Sequence, residues 1–136
     1  MRAKPHVHHI VFCVEPEHQD RAANLWRELG FQFAEIVLDD VGLRVLLDWT
    51  GGVEIISPTS MSATDARAFL ETHGDGVYSV VVRTDDVDAA STIARGYGAS
   101  VALHHHRDGP GYTLEEVMLT PVLGMPITLL ATDLPD

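Results

Sequence analysis

Val7-His8-His9-Ile10-Val11-Phe12-Cys13-Val14 is the first patterned stretch of the chain, and Val77-Tyr78-Ser79-Val80-Val81-Val82-Arg83-Thr84 is a second one like it. Both are rich in β-branched and aromatic residues, the composition of a buried strand. Each leads into a similar segment. After the first, Pro16 suits the opening turn of a helix, with Glu15 and Glu17 near its positive end. Ala22, Leu25, Trp26 and Leu29 then recur at helical spacing and predict one apolar stripe, closed by Gly30. After the second, Asp85-Asp86 starts a helix whose stripe is Val87, Ala90, Ala94 and Tyr97, closed by Gly98.

Three strands are expected behind each helix. In the first half they are Phe31 to Leu38, Leu43 to Trp49 and Val53 to Ser57, with turns at Asp39-Asp40-Val41-Gly42 and Thr50-Gly51-Gly52. In the second half they are Ala99 to His105, Leu114 to Thr120 and Pro126 to Thr132, with a Gly109-Pro110-Gly111 turn. Between the halves, Ser62 and Asp65 make a box-like helix start, and Ala66, Phe69, Leu70 and His73 share a face as far as Gly74. The order strand, helix, strand, strand, strand thus occurs twice, and a repeat of that size outweighs any short motif. One half alone leaves a sheet face uncovered. The expected fold is therefore α+β: two tandem βαβββ modules forming a curved mixed sheet around a cleft, helices on the outer face. It would make a single domain over residues 1–136, with module one at about 6–58, a linker helix at about 62–74 and module two at about 76–132.

The chain has 136 residues, nine basic against 20 acidic, for a formal net charge of −11. Its basic residues are scattered singly, which argues against nucleic acid or an anionic membrane as partner. No run approaches the ~18 apolar residues of a membrane span. No charged-then-apolar leader opens the sequence, so a cytoplasmic protein is expected. Cys13, the one cysteine, reads as a small buried hydrophobe rather than a reactive thiol.

The pattern resembles the vicinal oxygen chelate superfamily, the fold of glyoxalases, epimerases, extradiol dioxygenases and bleomycin-resistance proteins, from about Val7 to Thr132. Three pieces carry the likeness: His8-His9-Ile10-Val11-Phe12-Cys13-Val14, Gly52-Val53-Glu54-Ile55-Ile56-Ser57-Pro58, and the second module's opening from Gly76 to Val87. The resemblance implies a cleft-bound divalent ion (zinc, nickel, cobalt, manganese or iron) held by a His on the first strand of each module and a Glu on the last strand of one or both. Such an ion chelates two neighbouring oxygens of a substrate, and imidazole with carboxylate suits it. Carried over by position, His9 and Glu54 match the ligands of the first module and are the expected metal ligands or catalytic groups. The matching positions of the second are Ser79 and Thr128, neutral hydroxyls that suit these ions poorly and read as substrate contacts. A metal-free protein is thus an equal expectation.

Extra ligands are sought in His104 and His106, which share one face of a strand, and in Glu115 or Glu116. The bland alternative makes His104-His105-His106 a solvated strand end. Glu54 would be costly to bury alone, so a metal, Arg44 or Arg83 is expected beside it. Arg83, on Ser79's face, is either an anion contact or a strand-end charge, and Trp49 is a candidate for the cleft mouth. The leading functional reading is a glyoxalase- or epimerase-like enzyme moving a proton beside a carbonyl of a small oxygenated metabolite. Glu54 would be the base and His9 its partner. The alternatives are a non-catalytic, antibiotic-type binding protein and an Fe(II)-dependent dioxygenase. The resemblance also implies a homodimer.

Overall fold

The computed structural model describes residues 4–136. Among these described residues are eight strands and three α-helices in the predicted order, an α+β protein of two βαβββ modules. The chain divides into two compact units: His9–Tyr78, and Ser79–Asp136 together with the segment up to His8.

In the first unit, β1 (His6–Cys13) runs parallel to β4 (Val53–Pro58), with Val11 opposite Glu54. β3 (Leu43–Asp48) lies antiparallel to β4, and β2 (Ala34–Leu38) antiparallel to β3. Between β1 and β2 the chain makes a 3-10 turn at Pro16–His18 and then α1 (Gln19–Glu28). α1 covers one sheet face, where Val14, Ala23, Leu46, Val53 and Ile55 form the core with Trp26, Phe31 and Phe33 packed on it. Side chains alternate along a strand, so His9, Val11 and Glu54 belong to the other face.

The predicted α1 stripe holds at Ala22 and Trp26, which pack against the core, and fails at Leu25 and Leu29. Leu25 and Leu29 are 59% and 65% exposed, while Gln19 and Ala23 are buried. The cause is local. The helix begins after the 3-10 turn, and the Gln19 amide donates to the backbone carbonyls of Arg44 and Ile55 at 2.9 and 3.0 Å, which sets the rotation. The strand expected from Phe31 starts only at Ala34, because Phe31 and Phe33 turn onto the core.

α2 (Thr64–His73) is the linker helix and buries Ala66 and Leu70. Its cap residue is Ala63, without a side-chain cap, since the Ser62 hydroxyl bonds that of Ser60 at 2.6 Å.

In the second unit, β5 (Gly76–Arg83) runs parallel to β8 (Ile127–Thr132), with Val81 opposite Thr128. β7 (Tyr112–Leu119) pairs antiparallel with β8, and β6 (Val101–Gly109) with β7. β6 and β7 extend to the Gly109-Pro110-Gly111 turn, four residues further than predicted for β6. α3 (Val87–Arg95) is capped by the Asp86 carboxylate, which accepts from the amides of Asp88 and Ala89. It covers a core of Val87, Ala99, Val117, Leu119 and Leu129. Tyr97, assigned to the stripe, lies beyond the helix end and is 78% exposed. No helix among the described residues is long and apolar enough to cross a membrane.

Candidate active site

His9 and Glu54 sit on neighbouring parallel strands, on the face of their sheet that α1 does not cover. The registers place Val11 beside Glu54, so His9 and Glu54 share that face two residues apart along β1. The imidazole Nε2 lies 3.3 Å from the carboxylate Oε1. His9 is 5% exposed and Glu54 21%, a buried imidazole behind an acid that still reaches the surface. The Trp49 ring stands 6.0 Å from the His9 ring, tilted by 45°, so the third candidate of this module borders the pair.

Neither arginine expected beside Glu54 is there. Arg44 alternates onto the α1 face, where it bonds Glu35 at 2.6 Å and Asp20 at 2.9 Å. Those two carboxylates raise its pKa, the hydrogen bond to Glu35 contributing most. Arg83 is tied to Asp136 and to the backbone carbonyls of Thr132 and Leu134, at 2.8 and 2.6 Å. It therefore anchors the C-terminal segment rather than presenting a cation. His8, on the opposite side of β1 from His9, is buried with its Nε2 3.5 Å from Asp136.

In the second module, Ser79 and Thr128 are both buried, and their hydroxyls bond each other at 2.7 Å. Val81 faces Thr128 and Thr128 faces Met118, so this pair lies on the sheet face that α3 leaves open. Glu116, opposite Leu130 and His105, belongs to the same face.

His104 and His106 do not. His104 is opposite Val117, a core residue under α3, and so both lie on the helix side of their sheet, away from Ser79 and Thr128. There His104 bonds Glu115 at 2.6 Å and His106 bonds Asp108 at 3.1 Å. The histidine that spacing alone does not single out is His105, whose Nε2 is buried without a hydrogen-bond partner on the Ser79–Thr128 face. The parity of a His-His-His run offers no choice until the register with β7 is known.

The four positions that the resemblance assigns to a divalent ion divide by chemistry. His9 and Glu54 supply an imidazole and a carboxylate. Ser79 and Thr128 supply two neutral hydroxyls already satisfied by one another. That donor set does not fit a resident divalent ion at those positions.

Solved structures share the fold. A hypothetical protein of Bacillus halodurans superposes with a TM-score of 0.76 at 14% identity, over 98% of this chain and 99% of its own. A variant methylmalonyl-CoA epimerase of Streptomyces coelicolor, in complex with 2-nitronate-propionyl-CoA, gives 0.70 at 23% identity over 93% of each chain. The methylmalonyl-CoA epimerase of Mycobacterium tuberculosis gives 0.65 at 22% identity, over 92% of this chain and 86% of its own. No curated protein matches the sequence. The family model that does match spans residues 6–121, all of the first module and the second as far as β7, and the protein belongs to the glyoxalase/bleomycin resistance protein/dioxygenase superfamily.

Proposed function

We propose that this protein is an epimerase- or glyoxalase-like enzyme that moves a proton at a carbon next to a carbonyl, without a resident metal. The observation that carries this reading is the His9–Glu54 contact, 3.3 Å between a buried imidazole and a carboxylate that reaches the surface. Glu54 is the base: its carboxylate takes the proton, the electron pair moves onto the carbonyl oxygen as an enolate, and the proton returns to carbon. His9 holds the carboxylate in one orientation, which matters because proton transfer needs donor and acceptor within hydrogen-bond reach. Trp49 borders the pair. Ser79 and Thr128 are proposed as hydroxyl contacts for substrate on their own module's face. The epimerases of similar fold act on, or are complexed with, coenzyme A thioesters, and such a thioester is one carbonyl substrate to try first.

A second reading, non-catalytic binding of a small molecule, is favoured by the mutual hydrogen bond of Ser79 and Thr128, which removes two reactive positions. The Fe(II) dioxygenase is not supported, because His104 and His106 lie on the helix side of their sheet.

The test is proton exchange in deuterium oxide with a panel of acyl-CoA thioesters, 2-oxo acids and hemithioacetals, before and after chelation with EDTA. Deuterium at the carbon beside the carbonyl, at an unchanged rate after chelation, is the expected result. Exchange abolished by EDTA overturns the metal-free mechanism. No exchange with any compound, alongside thermal stabilisation by flat aromatic ligands, replaces the enzyme reading with the binding one.

A further inference from the structure

A second cluster of ligating groups lies in module two, on the sheet face that α3 covers and independent of the reaction proposed above. Asp88 sits in the first turn of α3, His104 on β6 and Glu115 on β7, and one ligand atom from each lies within 4.8 Å of the others. We propose that these three residues hold a divalent cation of the zinc class, clipping the start of α3 to the β6–β7 hairpin.

Four features point to it. The donor set, one imidazole and two carboxylates, is that of zinc sites with three protein ligands and one open position. Ligand atoms around a tetrahedral ion at roughly 2.0–2.2 Å lie about 3.3–3.6 Å apart, so rotation of the exposed Asp88 and His104 side chains that moves their ligand atoms by about an ångström closes the set. His104 and Glu115 already meet at 2.6 Å, and an ion would replace the proton they share.

The fourth feature is Ser91, one turn along α3 from Asp88. It is 7% exposed, and its Oγ is buried without a hydrogen-bond partner. Thr92, its neighbour, spends its hydroxyl on the Asp88 carbonyl at 3.0 Å. Ser91 lines, with Asp88 and His104, a cavity of about 240 Å³. Buried hydroxyls are almost always paired, so an unpaired one in the same cavity as Asp88 and His104 marks a missing polar partner. A water on the ion's open position supplies it.

Zinc titrated calorimetrically into the untagged, metal-stripped full chain should bind with a stoichiometry of one. Cobalt at the same site should give visible ligand-field bands. His104→Ala and Asp88→Asn, both exposed positions that the fold tolerates, should each weaken binding at least about tenfold, the cost of disturbing even an outer partner of a metal site. Glu54→Ala should leave it unchanged. No binding to the wild type, affinity retained in His104→Ala, or binding lost in Glu54→Ala would each overturn the assignment. The last result would move the ion to the first module and count against the metal-free reaction instead.

Discussion

Ser79 and Thr128 illustrate how much a single exchanged donor decides. Each hydroxyl is buried, and each is satisfied only by the other among the hydrogen bonds of this pair. Ser79→Ala should therefore destabilise the protein by about 1–3 kcal/mol, the cost of a buried group left unpaired, whereas Ser79→Ala with Thr128→Val should cost less than the two single changes added. Urea unfolding of the four proteins measures the cycle, and strict additivity would contradict the pairing. Cys13 is a simpler case. Burial, with Glu15 and Asp75 adding to it, pushes its thiol up to about 12, so the native protein should react with a disulfide reagent only as fast as it unfolds. At this scale the sequence is informative wherever parity decides: His9 and Glu54 fall on one face because strands alternate. It is silent on which cations are already engaged. Arg44 and Arg83 are both near Glu54 in the predicted strands, but β2 and α1 claim the first through Glu35 and Asp20, and the C-terminal segment claims the second.

Elements carry the next layer of prediction. Asp86 caps α3 through two amides, and Asp86→Ala should cost about 1 kcal/mol, read as a fall in the urea midpoint at constant slope. The β3–β4 turn is held by Asp48, which accepts from the Gln32 and Gly51 amides at 3.0 and 2.8 Å. The Gln32 bond leads in holding its pKa below the usual carboxylate range, with Gly51 and Thr50 adding to it against partial burial. A lowered folded pKa means stabilisation that is complete above the unfolded value and lost as pH falls through the folded one, so the effect appears below about pH 4. Asp48→Asn should be less stable at neutral pH and show a flatter acid limb; an unchanged limb would refute the role. Helices and strands are legible from periodicity, but phase and length are not. Gln19, a polar residue outside every stripe, sets the rotation of α1 by bonding two backbone carbonyls. The histidine run reads as a strand end until pairing with β7 carries β6 to Gly109 and fixes which imidazoles meet α3.

The whole molecule is built on a duplication that the chain announces twice, at Val7 to Val14 and at Val77 to Thr84. Both modules deliver the same order of elements, and in each the helix covers one sheet face while His9 with Glu54, or Ser79 with Thr128, occupies the other. The modules differ in chemistry: an imidazole and an acid in the first, two hydroxyls in the second. The family resemblance implies a homodimer, and sedimentation equilibrium should then give twice 14.9 kDa, a result contradicted by a single-chain mass at micromolar concentration. The central claim is narrower: that the Glu54 carboxylate, steadied by His9, is the group that takes the proton. The rate of deuterium incorporation into the carbon beside the carbonyl, compared between wild type and Glu54→Gln at equal folded fraction, tests it most directly. Loss of a general base should slow that rate by about 10²–10⁴-fold; a rate within about twofold of wild type, far below the effect expected of a lost base, would contradict the account.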